Sequence, residues 1–162
     1  MTKANVFFII LAVLWMGVIF YPSSKTQEES EAYSDNIEMA IGQVTVDGFE
    51  NQTTDEQAIY VRDNRVFIRK AAHVLEFTIL CVLLFLGLSG RLKIWLRLLI
   101  SGGGAILYAI SDEVHQYFVP GRSGLVSDVL IDSIGVGIAV GVLTVIFLIK
   151  WKLKTAKQLK NS

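Results

Sequence analysis

Four long apolar runs decide what this chain can fold into: Ala4 to Tyr21, Ala71 to Ser89, Ile94 to Ile110 and Val129 to Ile149. Each approaches the roughly 20 residues a helix needs to cross the hydrocarbon of a bilayer. A spanning backbone must satisfy its own polar groups, which a helix does and an open strand does not. One such run could be the buried helix of a water-soluble protein, but four in 162 residues argue against it. The expected fold is an all-α integral membrane protein, one domain with four transmembrane helices over 4–21, 71–89, 94–112 and 128–149. The first run is read as a retained helix, since "YPSS" offers no small-x-small cleavage pattern. Arg97 and Gly102 to Gly104 interrupt the third run. The lone Cys81 lies inside the second, so no intrachain disulfide forms and packing is its expected role.

Formal net charge is zero, but its distribution is not random. Residues 22–69 are predominantly acidic. Basic residues gather at Lys3, at Arg91, Lys93 and Arg97, and along the tail 150–162, where "KWKLKTAKQLK" carries five lysines and no acid. Lysine and arginine beside helix ends mark the cytoplasmic side. Both termini are therefore expected in the cytoplasm, with 22–69 an extracytoplasmic loop and the tail drawn to anionic lipid.

That loop is expected to be partly helical. Ile37, Ala40, Ile41 and Val44 share a helical face suited to a membrane surface or to capping the bundle. Thr54 is a plausible N-cap for a second short helix. Gly137 and Gly141 are expected to pack closely within the bundle. Tyr60, Tyr117, Trp95 and Trp151 read as interfacial anchors, with Tyr108 and Tyr117 near the ionisable cluster described next. The sequence contains no P-loop, zinc-finger spacing or basic nucleic-acid-binding face, so no nucleic-acid partner is expected.

The remaining charge converges at one depth. "RKAAHVLEF" brings His73 and Glu76 to one helix face just below the outer interface. "LYAISDEVHQYF" ends the third span with Asp112, His115 and Gln116 on one face and Glu113 beside Gln116. Pro120-Gly121 turns the chain, and "SDVLID" returns with Asp128 and Asp132 one helical turn apart. Ionisable groups inside a span face a cavity or one another. A structural cluster is one outcome: Arg122, Lys70 and Arg69 would pair with carboxylates, His73 would hydrogen-bond Glu76, and Asp128 would follow Ser127 as N-cap. A functional site is the other.

"RKAAHVLEF" together with "SDEVHQYFVPGRSGLVSDVLIDSIGVGIAVG" resembles the VanZ-like family of bacterial membrane proteins, over more than half of the chain. By that resemblance Lys70, His73, Glu76, Asp112, Glu113, Gln116, Arg122, Asp128 and Asp132 occupy the family's polar positions. Many members carry asparagine where this chain has Asp132; His115 matches less well than His73. The resemblance implies the bacterial cytoplasmic membrane and a link to resistance against teicoplanin, a glycopeptide antibiotic with a lipid tail. It implies action on the cell envelope at the outer leaflet, by modifying or binding a membrane lipid or lipid-linked envelope precursor. In the enzymatic version, an acid/base hydrolase or transferase, His73, Glu76, Asp112 and Glu113 are catalytic. Glu113 or Asp112 is the base, and His73, oriented by Glu76, is the acid. Lys70, Gln116, Arg122, Asp128 and Asp132 bind substrate, Arg122 clamping a phosphate or carboxylate. No cofactor is assigned. Mg²⁺ on Asp112, Asp128 and Asp132, or a transition metal on His73, Glu76 and His115, ranks below metal-free chemistry. A non-enzymatic head-group binder or transporter is the alternative, and a homo-oligomer is compatible with either.

Overall fold

The computed structural model describes residues 2–88 and 90–160. Ser89, where the second span was expected to end, and residues 161–162 of the tail lie outside them. Among the described residues the elements are α1 (Lys3–Ser23), α2 (Gln27–Thr45), a 3-10 turn (Phe49–Asn51), α3 (Thr54–Gly87), α4 (Ile94–Tyr117) and α5 (Val126–Lys160). Four of these helices, α1, α3, α4 and α5, are long and apolar enough to cross a membrane. At about 1.5 Å per residue, the 21 residues of α1 cover the hydrocarbon thickness of a bilayer.

The bundle is apolar outside and finely packed inside. Its outward surface carries Phe7, Ile10, Val13, Leu14, Leu107, Ile134 and Val145, all exposed. The interior holds Ala12, Ile19, Phe77, Leu80, Cys81, Ala105, Ala109, Val136 and Ala139. Lipid tails are as apolar as leucine, so burying leucine drives little association; close packing and interhelical hydrogen bonds must hold such a bundle. Asn5 of α1 donates to the carbonyls of Leu86 and Leu88, satisfying the end of α3. Arg97 of α4 donates to Phe85 O at 2.9 Å and lies over the Phe85 ring, so this charge in the third run caps α3 too. Trp15 Nε1 reaches Glu76 O, and the Tyr108 hydroxyl reaches Met16 O. Tyr108 thus ties α4 to α1, one helical turn before Asp112.

The tightest crossing lies between α3 and α5. A Cβ on Gly135 would run into the carbonyl of Val74, and Thr78 donates to Val74 O and Gly135 O at 2.7 and 2.9 Å. Gly137 and Gly141, expected to pack closely within the bundle, face outward with nothing within 4 Å. Period-3.6 arithmetic puts both on one stripe, but Gly135 and Asp132 determine which stripe turns inward.

The loop 22–69 is more ordered than expected. Thr26 closes a capping box with Glu29 to start α2. The expected short helix at Thr54 is not separate: Thr53 is its N-cap, boxed with Glu56, and the helix runs 34 residues without interruption into the span. No proline or glycine occurs before Gly87 to break it. α2 lies along the first part of α3. Arg65 binds Asp35 through Nε and Nη2 at 3.0 and 2.7 Å, and Glu31 through Nη1 at 3.2 Å. Gly42 accepts the Phe49 ring at a distance no Cβ would permit, and Tyr60 packs edge-on against Phe49. Tyr60 thus belongs to the hairpin and not to an interfacial belt. The face of α2 against α3 is formed by Ser30, Glu38 and Gly42, all buried. Ile37, Ala40 and Val44 point outward.

Candidate functional site

The ends of α1 and α4, the start of α5 and the middle of α3 meet at one end of the bundle. Small polar links hold this meeting in register. Ser23 at the end of α1 donates to Asp112 Oδ2 at 2.8 Å, and Gln116 Nε2 donates to the same oxygen at 2.9 Å. Glu113 Oε2 accepts the backbone N–H of Leu125 at 2.9 Å, so a side chain of α4 holds the chain that opens α5. Gly121 turns that connection at φ 79°, in the left-handed region. Gly124 passes so close to the Glu113 carbonyl that a Cβ would collide. The sequence "PGRSG" is therefore a close-fitting strap that delivers Arg122 across the site. Arg122 Nη1 donates to Gln116 Oε1 and Nη2 to Pro22 O, both at 2.9 Å.

These neutral oxygens fix the guanidinium without cancelling its charge. Burial, followed by the nearby Arg69, pulls the Arg122 pKa below its ordinary value, against the opposing pull of Asp112 and Glu113. Among the described residues neither Arg69 nor Arg122 has a carboxylate within 4.0 Å. Of the three cations expected to pair with acids, Lys70 does so, with Asp128 Oδ1 at 3.3 Å. Asp128 lies in the first turn of α5. Ser127, expected as its N-cap, is inside the helix, which starts at Val126.

His73 sits between two acids from different directions. Its Nδ1 is 3.6 Å from Asp132 Oδ1 and 3.9 Å from Glu76 Oε2. These are ion-pair separations, longer than the hydrogen bond expected between His73 and Glu76. Asp132 is 1% exposed, and its Oδ2 has no hydrogen-bond partner among the described residues. Asp112 Oδ1 is in the same condition.

Two cavities flank this arrangement. The first, about 170 Å³, is lined by Lys70, His73, Glu113, Gln116, Arg122, Asp128 and Asp132, with Gln27, Arg69 and Ser123 among the others. The second, about 120 Å³, lies between α1, α2 and α3 and takes in Glu76 and His73. Arg69, His73 and Arg122 line both. Thus eight of the nine expected site residues border a cavity; Asp112 does not, being buried behind the wall as a tie between α1 and α4. His115 stacks on Phe20 with centroids 4.6 Å apart and borders neither cavity. Arg69, Ser123, Ser23 and Gln27 are additions to the site. Arg69 is visible in "RK" beside Lys70, whereas the others come close only through the strap and the turn after α1. Among the described residues no group of three or more His, Cys, Asp and Glu is placed to hold a metal ion.

An all-α bundle of four bilayer-length helices, with ionisable side chains facing cavities at one end, defines a polytopic membrane protein with a polar site. The sequence model of the VanZ/LLP1 family matches residues 8–148, and the chain belongs to that family. It has no significant match among curated proteins or solved structures.

Proposed function

We propose that this protein binds, and acts by acid/base chemistry on, the anionic head group of a lipid or lipid-linked envelope component at the outer face of the bacterial cytoplasmic membrane. The observation that carries this reading is the convergence of Arg69 and Arg122 on one half-buried cavity, with no carboxylate among the described residues in direct contact with either. Two like charges brought together in a partly desolvated place favour an anionic ligand, and a guanidinium is suited to a phosphate or carboxylate. Lys70, half neutralised by Asp128, contributes a second, weaker electrostatic contact.

Chemistry on the bound head group falls to His73 and Glu113. Glu113 lines the cavity and removes a proton from the attacking hydroxyl or water. His73, its Nδ1 turned toward Asp132 and Glu76, returns a proton to the leaving oxygen. Asp112 is the poorer base of the two, since it borders neither cavity and is held behind the wall by Ser23 and Gln116. Asp132 is the better partner for His73 by distance. The second reading is a binder without turnover, favoured by the His73 ring, which has no hydrogen-bond partner among the described residues. Glu113→Gln separates the two: a binder keeps its ligand and its effect, while an enzyme keeps the ligand and loses the product.

The family resemblance implies a link to teicoplanin, and resistance is the phenotype proposed from it. A sensitive Gram-positive host expressing the chain, compared with equally expressed Arg122→Ala, provides the test. Protection selective for teicoplanin over vancomycin, together with altered envelope lipids, is expected from the intact chain and lost in the variant. Unchanged susceptibility with the intact chain removes resistance from the reading; unchanged lipids as well remove the head-group role.

A further inference from the structure

The two cavities differ in character. The first is walled by charge on α3, α4 and α5. The second is bounded by Ile19 and Pro22 of α1, Tyr33 and Ile37 of α2, and Ile68 and Ala72 of α3, with Glu76 and three serines as its polar wall. Ile19 is 1% exposed and closes its floor, whereas Tyr33 and Ile37 are 59% and 43% exposed and form its lip. The two meet only along Arg69, His73 and Arg122. A ligand whose charged group contacts both guanidiniums therefore has an apolar channel leading from the same point, on the side where α1 and α2 join.

We propose that the ligand of this site is an anionic amphiphile, bound with its phosphate or carboxylate between Arg69 and Arg122 and the first segment of its hydrocarbon chain in the cleft between α1, α2 and α3. The inference rests on the head-group reading above and adds the substrate class: one chain enters the protein. It assigns α2 a role in selection, because the lip of the cleft is built from the helix that the membrane-spanning part does not need. The arrangement accounts for an otherwise unexplained feature of α2. Tyr33 and Ile37 on its outward side stay uncovered by the rest of the chain although the helix packs well through Glu38 and Gly42. The cleft is mostly apolar on its α1 and α2 sides and cationic where the charge would lie.

The test uses the full-length chain in a neutral detergent and compares a phosphate-bearing single-chain lipid with glycerol 3-phosphate and inorganic phosphate. Chain burial predicts that the lipid binds at least about tenfold more tightly than either soluble anion. Ala72→Phe and Ser34→Phe each fill the cleft from a different helix, and Ala72 is exposed enough to accept the larger side chain without repacking the bundle. Both are expected to bring the lipid down to the affinity of glycerol 3-phosphate while leaving the soluble anions unchanged. If the filled variants, folded by circular dichroism, bind the lipid as the parent does, the cleft is not a chain site and the head-group reading survives. If Arg122→Ala and Arg69→Ala leave every anion bound as before, the head-group reading itself falls. Equal binding of lipid and soluble anions by the parent chain makes the ligand a free phosphate and overturns the inference.

Discussion

Glu38 has a fully buried side chain and neither of its carboxylate oxygens has a hydrogen-bond partner among the described residues. It faces Arg65 and Arg69 of α3 and shares α2 with Asp35. Burial pushes its pKa above the usual carboxylate range; Arg65 and Arg69 pull it back, and Asp35 adds to the rise. The folded chain therefore holds this proton more firmly than the unfolded chain. Stability from the neutral form is present at low pH and is lost as pH climbs from the ordinary carboxylate value through the raised one. Thermal unfolding followed from about pH 5 to about pH 8 should show Glu38→Gln losing less stability with rising pH than the parent. Parallel curves for the two proteins would contradict the assignment. The residue scale is also where sequence reasoning was most uneven. "DEVHQ" and "SDVLID" announce ionisable groups at the right depth, yet nothing in them tells that Asp112 turns back to Ser23 while Glu113 lines the cavity. That choice depends on the 100° between successive residues and on which face α1 covers.

At the scale of elements, the four spans were legible because apolar length is a property of the local sequence, whereas the contacts between them were not. The stripe of Gly137 and Gly141 looked like the packing face, and the crossing is made two residues earlier at Gly135. The expected consequence is a sharp contrast between adjacent helix positions. Gly135→Ala places a methyl group against the Val74 carbonyl and should cost about 1–3 kcal/mol through displacement of α3 from α5. Gly137→Ala meets open space and should stay within about 0.5 kcal/mol of the parent. Reversible unfolding in mixed micelles measures both, and similar losses would mean that Gly137 carries a contact of its own. The segment ahead of the second span differs from expectation for a related reason: "TTDEQ" is a good helix start, but a start says nothing about where the helix stops. Only the lack of a breaker between Thr54 and Gly87 does, and it was there to be read.

For the whole molecule, basic residues gather at the end away from the site: Lys3, Arg91 and Lys93, and the lysines along the last part of α5. By the positive-inside tendency this distribution predicts a site on the outer side. Cysteine labelling tests the placement, because Cys81 is buried and the parent chain should stay silent. With a membrane-impermeant maleimide on intact cells, Glu50→Cys should label and Lys154→Cys should label only after permeabilisation. The reverse pattern would put the cationic cavity in the cytoplasm and remove the outer-leaflet substrate. The four spans were thus recoverable from hydropathy, while the pairing of cavities was not, since it arises from α2 folding back along α3.

That folding back has a mechanical side. α3 carries Arg65, which grips α2, and Arg69, Lys70, His73 and Glu76, which face the cavities, on one rod of 34 residues with no hinge. A push or twist applied to the hairpin cannot be absorbed along the way; it arrives at the site as a rotation of four functional side chains together. Whatever grasps the hairpin holds a handle on the cavity.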